Sequence, residues 1–311
     1  MYTVNIIDYN KKREMTDQLL DRVKYERKAN IYGICIKLLT DVRDVKERWE
    51  DNFYFMSEDI RSHGRMYVFQ SDEYPENTCL YDPFSKTAFL FNFDYYGWIK
   101  SIALALASDI LEDEHDIYGV HGAAVEFNRT GVAIIAPSGT GKTTHSYLLL
   151  KRGASLVSDD WFFVRFYGEL AVAYASEKNF YVREDIAKIW PRLEDIVREA
   201  DIDKKGRAVI NIRLVIGKGK IKPQTTLSRI ILLKRDYEDE TLVRELTPEE
   251  AIKYMVKHDF CNPHQLVRDD RKMKLREWYF NELFKRCKIF LVNTIKEPLK
   301  VHEKIVESML L

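Results

Sequence analysis

The spacing of apolar and polar positions is most telling in the middle of the chain. Val132 to Ala136 is an unbroken apolar run rich in β-branched residues, which predicts a strand covered on both faces of an α/β sheet. The polar stretch Pro137-Ser138-Gly139-Thr140-Gly141-Lys142-Thr143-Thr144 follows, and a helical pattern with Tyr147, Leu148 and Leu150 apolar runs to Lys151. Arg152-Gly153 ends that helix with a C-cap glycine, and Ser155 to Ser158 predicts a second strand that delivers Asp159 and Asp160. Further strands are expected at Trp161 to Phe166, Leu170 to Tyr174 and Leu227 to Leu233. Thr247-Pro248-Glu249-Glu250 opens a helix, because a capping threonine, an N1 proline and a glutamate three residues on agree about its start. Helices over Asp270 to Lys285 and Pro298 to Leu311, with a strand at Lys288 to Asn293 between them, close the chain.

Upstream, strand-like pieces fall at Tyr2 to Ile7, Ile31 to Leu38, Arg65 to Gln70, Cys79 to Tyr81 and Thr87 to Phe93. An amphipathic helix from Tyr96 to Leu111, with Ile99, Ile102, Ala103, Leu106 and Ile110 on one face, is expected to dock this part onto the rest. The acidic run Glu112-Asp113-Glu114 marks the expected boundary. The fold class is therefore α/β: a smaller β-rich N-terminal domain, residues 1–112, without evident chemistry, and a domain over residues 113–311 built on a mixed sheet.

Composition narrows the partners. Lys+Arg and Asp+Glu both number 49 in 311 residues, so no net field draws the chain to nucleic acid or to a membrane surface. The four cysteines, Cys35, Cys79, Cys261 and Cys287, lack zinc spacing and are expected to be reduced, mostly buried thiols. The start MYTVNIIDYNKKRE turns polar too soon for a signal peptide, and the most membrane-like stretch, Ile102 to Ala107, is too short to span a bilayer. A cytoplasmic protein is expected.

The run from Pro137 carries the chemistry. Gly139 and Gly141 let the backbone turn several N–H groups toward one phosphate chain, Lys142 adds a cation for the β/γ-phosphates, and Thr143 offers a hydroxyl to Mg²⁺. A helix starting at about Gly141 directs its positive end at the same anion. Ala136 stands where the general phosphate-loop pattern has its first glycine. Adjacent strand residues point to opposite sides, so Asp159 and Asp160 should have different partners, one facing a metal and the other an acceptor hydroxyl as general base.

These residues resemble the catalytic domain of HPr kinase/phosphorylase, within the superfamily that includes phosphoenolpyruvate carboxykinase. The resemblance is carried by His121-Gly122-Ala123-Ala124-Val125, the loop SGTGKTT, and Lys-Arg-Gly followed by Ser-Asp-Asp, with His121 21 residues before Lys142 and Asp160 18 after it. It implies that Pro137 to Thr144 bind ATP, that Lys142 holds the β/γ-phosphates, and that Thr143 and Asp159 support Mg²⁺. It implies further that Asp160 deprotonates a seryl-type hydroxyl, that His121 sits beside the phosphates or the acceptor, and that the protein is a homo-oligomer. Thr144 stands where the family usually has glutamate, and a late Pro-Gly-Arg element has no counterpart. A further metal-binding acid could be Glu177, Glu184 or Asp185, which the sequence does not separate.

The function expected is an ATP- and Mg²⁺-dependent kinase acting on a hydroxyl, foremost a serine in a protein or peptide. A small-molecule kinase and a non-catalytic ATP-sensing module are the alternatives. One basic stretch, Lys204, Lys205, Arg207, Arg213, Lys218, Lys220 and Lys222, is open to two readings, a loop that closes over ATP or holds an acidic acceptor, or a solvated charge run between strands.

Overall fold

In the computed structural model, which describes residues 2–178, 180–183, 207–210 and 216–310, the chain forms two units. One comprises Met1–Asp116 with the short returns Glu177–Asn179 and His264–Arg268, and the other Ile117–Ser176, Phe180–Pro263 and Asp269–Leu311.

The first unit runs β1 (Thr3–Ile6), α1 (Tyr9–Leu20), β2 (Tyr25–Ile31), β3 (Ile34–Thr40), α2 (Arg43–Asn52), β4 (Tyr54–Phe55), β5 (Gly64–Phe69), β6 (Thr78–Asp82), β7 (Thr87–Phe91) and α3 (Tyr96–Glu114). Its seven strands form a mixed sheet in the order β1-β6-β7-β5-β3-β2-β4. The apolar run Ile31 to Leu38 is two strands, not one, because Tyr32 and Gly33, at φ 52° and 82°, turn the chain back into a hairpin. Three helices accompany the sheet, so this unit is α/β in its own right and not simply β-rich. Helix α3 is also more enclosed than a one-faced amphipathic pattern suggests, since Lys100, Asp109 and Glu112 are buried along with its apolar residues. Each of those charges is met: Lys100 pairs with Glu177, Asp109 takes Lys86 and Tyr81, and Glu112 accepts from Ser108. The acidic run at residues 112–114 is the last turn of this helix.

The second unit runs β8 (Tyr118–Phe127), β9 (Thr130–Ile135), α4 (Lys142–Lys151), β10 (Ser155–Ser158), β11 (Trp161–Tyr167), β12 (Leu170–Ala175), β13 (Phe180–Arg183), β14 (Arg207–Ile210), β15 (Gln224–Lys234), β16 (Val243–Leu246), α5 (Pro248–Lys257), α6 (Asp270–Lys285), β17 (Lys288–Asn293) and α7 (Pro298–Leu310). Its main sheet is mixed, β9, β15 and β17 being parallel and the other pairings antiparallel. Strand β8 pairs β9 on one side and β10 and β11 on the other, and β9 reaches β15, which reaches β12 and so β11 again. The pairings thus close a ring around β8, β9, β15, β12 and β11.

Alternation along β9 explains why its apolar run is unbroken. Val132, Ile134 and Ala136 pack with Tyr147, Leu149 and Leu150 of α4 and with Val301 and Ile305 of α7. Ala133 and Ile135 face the opposite cluster, which holds Ala251 and Met255 of α5 and Tyr279, Phe280, Leu283 and Phe284 of α6. Both faces of the strand are covered, so polar positions have no place on it. Among the described residues, no helix is long and apolar enough to cross a membrane.

Candidate active site

Strand β9 ends at Ile135, and Ala136, fully buried, leads into the loop. Gly139 and Gly141 sit at φ 82° and 104°, where a side chain would be strained, and Gly141 forms the left-handed N-cap of α4. Thr140 Oγ1 donates to Pro137 O at 2.8 Å and closes the loop on itself. No side chain caps α4 among the described residues, so its first turn presents N–H groups and the positive end of the helix toward the loop.

Three charged or polar side chains meet beside that turn. Lys142, the first residue of α4, places Nζ 3.1 Å from His121 Nε2 and 3.5 Å from Asp160 Oδ1. His121 Nε2 lies 3.2 Å from the same carboxylate oxygen. Sheet pairing brings them together: β11 runs antiparallel to β8 with Trp161 opposite His121, so Asp160, one residue earlier, arrives next to the histidine. The neighbouring main chain fixes it there, with Gly122 N donating to Asp160 O at 2.9 Å. A Cβ on Gly122 would meet Ile134 O at 2.9 Å, so the close approach requires glycine.

The two aspartates do have different partners. Asp159 is buried and accepts from Ser146 Oγ at 3.1 Å, while the same hydroxyl lies 2.9 Å from Thr143 O. Asp160 keeps 31% of its side chain exposed and His121 only 8%. Burial, with the Lys142 ammonium beside it, holds the His121 imidazole below its ordinary pKa, and the Asp160 carboxylate and the Cys261 carbonyl pull the other way. His121 Nδ1 lies 2.7 Å from Cys261 O. A carbonyl can only accept, so the short contact favours a proton on Nδ1 and leaves Nε2 as an acceptor for Lys142, although Nε2 also stands 3.2 Å from the Asp160 carboxylate, which likewise can only accept.

Cys261 belongs to a turn of unusual conformation. Asp259, Phe260 and Cys261 stand at φ 49°, 52° and 54°, three successive non-glycine residues in the left-handed region. Each costs about 1–2 kcal/mol, and burial of Phe260 and Cys261 in the core around α5 and α6 opposes that cost.

Ser146, Gly122 and the Cys261 carbonyl were not anticipated from the sequence. Ser146 is one helical turn from Lys142 and could have been found from that spacing; Cys261 gives no local signal. Of the three downstream acids, Glu177 is held in a buried ion pair with Lys100 at 3.1 Å within the first unit. Glu184 and Asp185 lie outside the described residues, as do Lys204, Lys205 and Arg213 of the basic stretch. Lys220 donates to Gly153 O at 2.9 Å and Lys222 pairs with Glu126, contacts that tie this end of the stretch down next to β8 and β10. Among the described residues, no group of three or more His, Cys, Asp or Glu side chains is placed to hold a metal ion by itself, whereas Mg²⁺ beside a nucleotide needs only one or two carboxylates.

Comparison with known proteins gives a consistent picture. No family model matches the chain. It is 26% identical, over 45% of its length, to HPr kinase/phosphorylase 1 of Oceanobacillus iheyensis, and the match covers 39% of that protein. It is also 26% identical to the HPr kinase/phosphorylase of Caldanaerobacter subterraneus over 44% of the chain and 39% of the relative. A shorter match of 36% identity joins 25% of the chain to 24% of the HPr kinase/phosphorylase of Chlorobium phaeovibrioides. The chain carries an HPr kinase-like domain. The matches span well under half the length of these relatives.

Proposed function

We propose that this protein is an ATP- and Mg²⁺-dependent kinase that transfers the γ-phosphoryl group to a hydroxyl, foremost a serine of a protein or peptide, in the cytoplasm. The observation that carries the reading is the convergence of Lys142, His121 and Asp160 within 3.5 Å beside the uncapped N-terminus of α4. A triphosphate suits that place. The loop from Pro137 to Thr144 offers backbone N–H groups at a helix start, two glycines at positive φ, and one ammonium group. The named relatives, kinases of HPr, support a protein acceptor.

Each side chain then has a task. Lys142 neutralises charge on the β/γ-phosphates, and His121, neutral and enclosed, holds that ammonium in line through Nε2. Asp160 is the open member of the group and takes the proton of the acceptor hydroxyl. The acceptor oxygen bonds to the γ-phosphorus, the bond from that phosphorus to the β,γ-bridging oxygen breaks, and ADP leaves with the electron pair. Mg²⁺, when bound by the Thr143 hydroxyl and Asp159, would spread the charge of the phosphates. Ser146 orients the Asp159 carboxylate for that purpose.

The test is transfer of label from γ-labelled ATP with Mg²⁺ into a pool of proteins, peptides and metabolites. Wild type should label a protein or peptide, and Asp160→Asn should lose about 10²-fold or more in turnover while binding ATP as before. Label found only in metabolites would replace the protein acceptor with a small-molecule one. ATP binding with no turnover in wild type would leave a sensor, and no ATP binding would reject the proposal.

A further inference from the structure

The reaction proposed above needs His121 to present a lone pair, not a proton, to Lys142. Nothing on β8 decides which ring nitrogen carries the hydrogen. Two acceptors compete for it: the Asp160 carboxylate, 3.2 Å from Nε2, and the nearer main-chain carbonyl of Cys261, 140 residues further along the chain and 2.7 Å from Nδ1. That carbonyl stands at the end of the left-handed turn Asp259–Cys261, where Cys261 N donates to His258 O at 2.9 Å and Asn262 N to Asp259 O at 3.1 Å. Three successive residues at positive φ are unfavourable by themselves and persist only where the surroundings impose them. Here the anchor is Phe260, buried and stacked on Phe280 of α6 with centroids 5.6 Å apart.

We propose that the left-handed turn Asp259–Cys261 is a positioning element of the phosphoryl-transfer site: by aiming the Cys261 carbonyl at His121 Nδ1 it fixes the Nδ1–H tautomer and keeps Nε2 as the acceptor that holds Lys142 beside Asp160. The catalytic part of this statement rests on the kinase reading. The alternative tautomer could donate from Nε2 to Asp160 at 3.2 Å, but it would remove the acceptor for Lys142 at 3.1 Å and set the Nδ1 lone pair against the buried Cys261 carbonyl at 2.7 Å, two losses against one longer contact. The Cys261 thiol is not the agent, since it is buried among apolar side chains and its pKa is pushed up to about 12. The residue acts through its backbone, so its side chain is replaceable while its φ is not. A right-handed residue here would swing the carbonyl away and release the ring.

The experiment uses the full chain with ¹⁵N-labelled histidine. Long-range ¹H–¹⁵N spectra give the tautomer of His121 directly, with His121→Gln identifying its signals. Wild type and Cys261→Ala are both expected to show Nδ1–H and a bare Nε2. Cys261→Pro, whose ring forbids positive φ, is expected to populate the Nε2–H form and to lose up to about a hundredfold in kcat, the scale of a misplaced catalytic group, with the KM for ATP changed much less. If Cys261→Pro does not fold, Phe260→Gly, which loosens the anchor without forbidding the turn, is expected to give mixed tautomers and an intermediate kcat. An Nε2–H or cationic His121 in neutral wild-type protein would overturn the proposal. So would a folded Cys261→Pro, or a Phe260→Gly, with wild-type tautomer and kcat. The two readings fail separately: Nδ1–H without any phosphoryl transfer rejects the kinase, whereas transfer with Nε2–H rejects only the role of the turn.

Discussion

Two histidines behind the loop tie stability to pH. His145 on α4 and His302 on α7 are both buried, with rings nearly parallel and centroids 6.1 Å apart. Among the described residues, His145 Nδ1 and both ring nitrogens of His302 have no hydrogen-bond partner. Burial lowers the His145 pKa from 6.5 to about 4, with Arg235 adding to the effect, and that of His302 to about 3, with His145 and Arg152 adding. A base with a depressed folded pKa binds protons more readily when unfolded, so its contribution is complete above 6.5 and declines as pH falls toward the folded value. Each neutral histidine should therefore cost up to about 1.4 kcal/mol per pH unit across that window. Melting temperature followed from neutral pH downward should fall in wild type and fall less steeply in His302→Phe; parallel curves would refute the assignment. Ser146 makes a second prediction on the same helix. Ser146→Ala removes the hydroxyl that orients Asp159, and is expected to raise the Mg²⁺ concentration for half-maximal transfer by about tenfold, the loss typical of a ligand's orienting partner. A magnesium titration of activity would measure it, and an unchanged midpoint would show that Asp159 does not serve the metal.

At the scale of elements, agreement between sequence and structure follows how much of the signal is local. Helix α5 starts where its capping pattern placed it: Thr247 accepts from Glu250 N at 3.3 Å, and Glu250 returns a carboxylate to Thr247 N at 3.0 Å. Thr247→Ala should cost about 1 kcal/mol in urea unfolding, and a loss indistinguishable from zero would mean that tertiary contacts alone hold the helix start. The helix over Asp270–Lys285 and the strand over Lys288–Asn293 likewise match their expected bounds. Helices α1 and α2 were not foreseen because their apolar faces are thin. Only Met15 and Leu19 are buried on α1, and Val45, Trp49 and Asn52 on α2, so the helical period is drowned by charge. The short strands β4 and β16 had too few residues to show alternation.

At the scale of the whole molecule, the chain's return into the first unit at residue 177 depends on a buried charge. Lys100 and Glu177 are almost fully enclosed, and Asn52 Nδ2 adds a hydrogen bond to the carboxylate at 3.2 Å. Lys100→Met would strand that carboxylate and should cost about 3–5 kcal/mol, whereas Lys100→Met combined with Glu177→Leu should recover most of the loss. Equal destabilisation of the single and double variants in chemical denaturation would contradict the pairing. The sequence by itself determined the strand–loop–helix from Val132 to Lys151 and the acidic pair after it, because strand period, glycine conformation and helix start are properties of neighbouring residues. Only the tertiary structure decided that His121, Lys142 and Asp160 meet, that Glu177 pairs with Lys100, and that the Cys261 carbonyl stands at His121 Nδ1. Those contacts depend on strand register and on a turn 140 residues away, and no local pattern encodes which distant backbone group will fill a buried donor's need.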